Sequence, residues 1–409
     1  MRKLISVFYF LSCLTAFAQP STEAIDTYVA NAQKAWGVPG MSIAVVKDGE
    51  VVLAKGYGTL AVNSKKSVDE HTLFAIASNT KAFIASALGQ LVARGSLRWD
   101  DKVIDYLPYF ELYDPYATQN ATIADLLCHR LGLGTFSGDL IWYKSDLSSE
   151  EIIQTARHVP QAYGFRDGYG YSNLMYIAAG EVIKKVTGKP WNEFLADSFF
   201  EPLEMDRTIT STHLLNDKGN YAFPHKPMEK KQQVLDWVNW DNVGAAGGII
   251  SSANDMAKWM ILNLNRGVLA DDTLLSPEQQ NILWTPHNNH VVSLEAQRNI
   301  PGRHFSGYGL GWNLTDYYGN LLVTHSGGYD GMYSAVTLIP DQKLGIVVLT
   351  NTMKGISYPV SFWIADRYLG NDLRDWSAER LEASRKNDTQ AEEIDDRLAK
   401  RSKKIAPTL

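Results

Sequence analysis

Strand-forming runs sit at the two ends of this chain and helices fill its middle. That distribution restricts the fold more than any single motif does. Near the N-terminus, MSIAVVKDGEVVLAKGYG holds two β-rich runs around Asp48-Gly49, a strong short-range hairpin signal. Comparable runs return only in YGLGWNLTDYYGNLLVTHSGG and SAVTLIPDQKLGIVVLTNT. These read as four strands, with turns at Tyr318-Gly319-Asn320, where Gly and Asn supply positive φ, and at Pro340-Asp341-Gln342. Between the two strand regions lie helices and long loops rich in Pro, Gly, Tyr and Trp. Helices are expected over 21–36 and 358–369 as well. The expectation is an α+β chain: one antiparallel sheet built from both ends (19–75 and 240–370), flanked by helices, with a mostly helical insertion over 76–239.

At 409 residues, 45% hydrophobic and 21% charged, the chain can bury a substantial core. Its first residues, MRKLISVFYFLSCLTAFAQP, carry Arg2 and Lys3, an apolar run and Ala16-Phe17-Ala18. This reads as a signal peptide over 1–18 cut before Gln19, which implies an exported, periplasmic or secreted protein. Phe10-Leu11-Ser12 fits a lipid-attachment site at Cys13 poorly. Loss of Arg2 and Lys3 takes the formal net charge from −6 to −8. With no basic stripe, no nucleic-acid partner is expected, and no segment has the length of a transmembrane span. The mature chain keeps one thiol, Cys128, in an apolar run, so no internal disulfide is expected. From Asn371 to Leu409 charge dominates, which reads as a solvated helix or linker.

Chemistry concentrates first in FAIASNTKAFIASALGQLVARG. Phe83, Ile84, Ala87, Leu88, Leu91 and Val92 follow helical spacing and place Ser78 at the start of a buried helix. Residues three apart share a helix face, so Lys81 can reach the Ser78 hydroxyl. A serine becomes a nucleophile when a neighbouring base takes its proton. A helix N-cap serine beside a solvated lysine is the bland alternative.

Two further groups follow. Tyr171-Ser172-Asn173 precedes an apolar helix, where a phenol could shuttle protons and an amide could hold a substrate carbonyl and a lysine. His325-Ser326-Gly327-Gly328 ends the strand LLVT, and glycines there admit a close substrate backbone. The Gly328 and Ser78 N–H groups could form an oxyanion hole. His287-Asn288-Asn289-His290 follows Pro286 in an expected loop and lacks His-Glu-x-x-His context, so no metal is expected. No Gly-x-Ser-x-Gly elbow exists, which argues against an α/β-hydrolase.

Ser78-x-x-Lys81, Tyr171-x-Asn173 and His325-x-Gly327, in that order, resemble the serine β-lactamase and penicillin-binding superfamily. The match is best to its class C β-lactamase-related branch, which also holds DD-peptidases, D-aminopeptidases and esterases. LLCHRLGL resembles that branch's His-Thr-Ser-Gly-Leu stretch, and PLEMDRT, AAGGIISSANDMAKW, YGLGW and HSGGYDG also fit. The resemblance implies that Ser78 is acylated, that Lys81 and Tyr171 share base and acid work, and that Asn173, His325, Gly327 and Gly328 bind substrate. It implies no cofactor, and small-molecule or peptide substrates: esters, amides or D-amino-acid peptides. For Lys81 to act as base, its pKa must fall from ~10.4 towards ~7–8, about 4 kcal/mol of environmental bias. Tyr171 is the alternative base. Dedicated β-lactamases of this branch usually carry Lys at the position of His325, so β-lactam turnover is expected to be weak. A true β-lactamase, and a sensor that is acylated without turnover, are the competing readings.

Overall fold

The computed structural model describes residues 20–228, 231–300, 302–371 and 374–387. The segment expected to be a signal peptide and the last residues of the charged tail lie outside them. Helix α1 (Thr22–Trp36) starts at Ser21, whose hydroxyl accepts the Ala24 N–H, and stops at Gly37 with φ 58. Strands β1 (Gly40–Lys47) and β2 (Glu50–Gly58) form the Asp48-Gly49 hairpin, with both turn residues at positive φ.

The remaining strands of the main sheet are β3 (Asn288–Asn289), β4 (Ser306–Tyr308), β5 (Asn313–Tyr317), β6 (Asn320–Tyr329), β7 (Met332–Ile339) and β8 (Leu344–Thr350). The spatial order is β2-β1-β8-β7-β6-β5-β4-β3, antiparallel throughout. The chain's first hairpin thus closes onto its last strand, with Met41 opposite Thr350.

Three local expectations are corrected. The two late runs expected to give four strands hold five, because Gly311 at φ 79 breaks YGLGWNLTDYY between β4 and β5. A side chain at Gly311 would meet the Lys81 carbonyl at 2.8 Å, so this turn also lets the sheet approach the Ser78 helix. At the β5–β6 turn, positive φ falls on Tyr318 and Gly319, while Asn320 already begins β6. And Asn288–Asn289 is an edge strand, not loop, because its neighbour β4 offers a free ladder.

Both faces of the sheet are covered, which is why β8 reads LGIVVLT and is buried at every position. Met41, Ile43, Val45, Ile346 and Val348 face α1 and the helix α6 (Ser357–Leu369). Ala44, Val46, Val347 and Leu349 face the other core, shared with α2 (Thr80–Ala93), α4 (Asn173–Thr187) and α5 (Ala253–Leu264). Between α2 and α4 comes the one-turn helix α3 (Asp139–Trp142). The charged segment after Asn371 is not solvated throughout. Trp376 is 1% exposed and its indole donates to Asp366 at 2.6 Å, while Ser377 accepts from the Trp36 indole at 2.9 Å. One large indole outweighs several exposed charges around it. Among the described residues, no helix is long and apolar enough to cross a membrane.

Candidate active site

Ser78 lies in a 3-10 turn, Ala77–Asn79, that leads into α2. Its hydroxyl is not spent on capping: the residue before α2 is Asn79, which makes no side-chain cap bond. Ala77 is held at φ 45, a left-handed conformation costing an L-residue roughly 1–2 kcal/mol. The surroundings impose it. Ser334 on β7 donates to the Ile76 carbonyl at 2.7 Å and accepts from the Asn79 amide at 2.8 Å. The Ile76 N–H donates to the Ile249 carbonyl at 3.0 Å.

Strand β6 runs tightly against the same turn. A Cβ added to Gly327 would stand 2.1 Å from the Ile76 carbonyl oxygen and 2.8 Å from the Ser78 nitrogen. Gly327 therefore acts by having no side chain, and it does not line the adjoining cavity. Gly328 is exposed and does line it.

Lys81 is fully buried, and its Nζ donates to Ser78 Oγ at 3.0 Å, Asn173 Oδ1 at 2.8 Å and the Ala246 carbonyl at 2.7 Å. Burial lowers its pKa from 10.5 to about 7, with the Asp139 carboxylate pulling the other way. Asn173 opens α4 one residue after its cap, Ser172, and so aims inward. Its Nδ2 donates to Asp139 Oδ2 at 2.9 Å, and Trp142 Nε1 donates to Asp139 Oδ1 at 3.0 Å. Burial raises the Asp139 pKa against the pull of Trp142, Asn173 and Lys81.

Tyr171 lies beside Ser78, and the Lys81 ammonium sits 4.8 Å from its ring centre. Burial drives the phenol's pKa well upward, and the hydrogen bond with Ser78 offsets little of this. Of the two base assignments open in the sequence, the electrostatics favour Lys81; Tyr171 stays a neutral phenol. His325 is buried, with Nδ1 2.7 Å from the Ser326 carbonyl and Nε2 2.8 Å from the Tyr308 hydroxyl. The carbonyl can only accept, so Nδ1 carries the proton and Nε2 accepts from Tyr308. Burial, then the charge of Lys81, push its pKa down to about 3. His325 is neutral, and both its nitrogens are engaged.

Ser78, Tyr171, Asn173, His325 and Gly328 border one cavity of about 510 Å³, at whose floor Lys81 is sealed. Five further aromatic side chains line it: Phe136, Trp142, Tyr169, Trp240 and Tyr333. His287 and His290 stand apart from it, with His287 Nε2 3.0 Å from the Ile282 carbonyl. Among the described residues, no cluster of three or more His, Cys, Asp or Glu could hold a metal ion.

The comparisons with known proteins agree with this architecture. A family model described as Beta-lactamase matches residues 25–369. The chain belongs to the Beta-lactamase family. Among its relatives is an unguisins hydrolase of Aspergillus campestris, 33% identical over 79% of this chain and 60% of its own length. Protein flp of Staphylococcus aureus strain N315 is 28% identical over 82% of this chain and 64% of its own. The chain thus spans under two thirds of these relatives. A solved structure, an octameric penicillin-binding protein homologue from Pyrococcus abyssi, superposes with a TM-score of 0.75 at 24% identity, covering 87% of this chain and 78% of that one. It shares the fold.

Three residues of this Beta-lactamase-family site escape sequence reasoning. Asp139 carries no motif; only Gly138 at φ 85, which opens its helix, marks the spot. Tyr308 meets His325 through the β4–β5–β6 register. His129, at φ 60, accepts the Ser172 N–H on Nδ1 at 3.1 Å and packs 4.4 Å from the Tyr171 ring, fixing that loop. The resemblance of LLCHRLGL to a family stretch marks His129, but its contacts with Ser172 and Tyr171 are not in the spacing.

Proposed function

We propose that this chain is an exported serine hydrolase of the class C-related branch. It would act through a Ser78 acyl-enzyme on small esters, amides or D-amino-acid peptides. One observation carries the reading: a fully buried Lys81 whose pKa falls to about 7 lies 3.0 Å from Ser78 Oγ. Neutral Lys81 takes the Ser78 proton as Oγ bonds to the substrate carbonyl carbon. The C=O electron pair moves to oxygen, which faces the N–H groups of Ser78 and Gly328. Collapse of this adduct breaks the bond to the leaving group, which receives the Lys81 proton through the Tyr171 hydroxyl. Water then attacks the ester by the same path and restores Ser78.

Esterase or peptidase activity is favoured over dedicated β-lactamase activity because a neutral, doubly bonded His325 cannot pair with a β-lactam carboxylate. The hydrolase name of the fungal relative supports the reaction class. Arg2, Lys3 and the apolar run before Gln19 support export, which N-terminal sequencing of the mature protein tests.

Turnover of p-nitrophenyl esters and of nitrocefin by the mature protein, beside Ser78→Ala, tests the activity. Ester turnover lost in the variant, with little nitrocefin cleavage, is the expected result. One stoichiometric burst with no steady state would replace the hydrolase by an acylated sensor. Fast nitrocefin cleavage would make it a true β-lactamase.

A further inference from the structure

The wall of the cavity above Ser78 is rich in aromatic rings, and the nearby Lys81 is sealed beneath its floor by Ser78, Asn173 and the Ala246 carbonyl. Among the described residues that line the cavity there is no lysine or arginine, and the one formally charged side chain is Asp139. Lys144 lies over the Tyr143 ring, 5.2 Å from its centre, and not on the cavity wall. Asp139 accepts one hydrogen bond on each oxygen, from Trp142 and Asn173. A carboxylate offers about four acceptor positions, so capacity remains. Trp142 gives its N–H edge to Asp139, and the Trp142 and Trp240 rings, which share the cavity wall with it, meet edge to face with centroids 5.3 Å apart. A second carboxylate, Asp330, accepts the Tyr143 hydroxyl at 2.7 Å beside Trp142, and its Oδ2 is buried without a partner.

Aromatic faces attract cations through their quadrupoles, tryptophan most strongly, and a half-buried carboxylate adds a directional acceptor. The same surroundings disfavour an anion twice, by desolvation and by like-charge repulsion. Within the hydrolase reading above, we propose that Asp139 with Trp142 and Trp240 forms an ammonium subsite. Substrates are then acyl compounds carrying a free amine, and carboxylate-bearing ones are rejected.

The decisive experiment needs no turnover. Tryptophan fluorescence of Ser78→Ala is titrated at pH 8 with benzylammonium and with benzoate, in the presence and absence of Asp139→Asn. Benzylammonium is expected to bind at least 10-fold more tightly than benzoate, and Asp139→Asn to reduce that ratio at least 10-fold. Equal binding of the two probes, or a ratio untouched by Asp139→Asn, overturns the subsite. In the catalytically intact chain, alanine p-nitroanilide (both enantiomers) should be cleaved faster than its N-acetyl and N-succinyl forms. Loss of Ser78-dependent ester turnover with probe discrimination intact would sink the hydrolase reading and leave the subsite standing. Ester turnover without discrimination would do the reverse.

Discussion

Two carboxylates fourteen residues apart, the buried Asp125 and the half-buried Asp139, are treated in opposite ways. Asp125 is fully buried, caps the short helix Ile123–Leu127 through Thr122, and takes the Arg130 guanidinium at 2.5 Å and that of Arg166 at 2.6 Å. Burial pushes its pKa up, but the two arginines outweigh this and hold it below the usual carboxylate range. Asp139 has only neutral donors in contact and a lysine one amide away, and burial wins. A satisfied charge fixes the scaffold, whereas an undercompensated group next to an open cavity keeps its affinity for protons and ligands. Lys81 belongs with Asp139: it has three hydrogen-bond partners but no carboxylate in contact.

The largest effect expected from that contrast is at Lys81. Lys81→Met should lower kcat/KM for a p-nitrophenyl ester at least 10³-fold. Yet thermal unfolding at pH 6 should show no loss of stability, because burying that ammonium costs on the order of 4–5 kcal/mol. The folded pKa lies below the unfolded one, so between pH 7 and 10.5 the unfolded chain holds the extra proton. Wild-type stability therefore gains from rising pH across that window, and the methionine variant should lose this gain. A methionine variant that unfolds several degrees lower at pH 6 would erase the distinction between the two regions.

Asp125→Ala should show the opposite pattern. Leaving two guanidinium groups without their anion should cost about 3 kcal/mol in chemical denaturation, while the folded fraction keeps its ester KM. Gly327→Ala is intermediate. The Cβ would press on the backbone of Ile76 and Ser78, so a drop in kcat of about 10²-fold is expected together with a loss of about 1–3 kcal/mol in chemical denaturation. The smallest effect is a shift in pH profile. The rate should rise with pH through an inflection near 7 as Lys81 loses its proton. Asp139 raises the Lys81 pKa, so Asp139→Asn should move that inflection to lower pH. An upward shift would contradict the electrostatic account.

What could be read before folding follows from sequence distance. Ser78 and Lys81 are three apart across the start of α2, so their proximity is legible in the spacing, as is the hairpin at Asp48-Gly49. The state of His325 is not legible, because it depends on Tyr308 arriving from another strand and on burial. Asp139 is hidden for the same reason: its partners Asn173 and Lys81 come from different helices. Trp376 shows the limit of reading composition, since a charged window conceals one indole that packs with Asp366 and Phe362.

The pairing of β1 with β8 has a kinetic consequence. Met41 and Thr350 meet across most of the chain, so the central ladder cannot form until nearly all of it has been made. Until then the hairpin of β1 and β2 keeps an apolar edge without its neighbour, a template for unwanted strand addition. Contacts between such distant residues make closure slow. The last strand thus acts as a keystone: the N-terminal hairpin has no place in the sheet until β8 arrives.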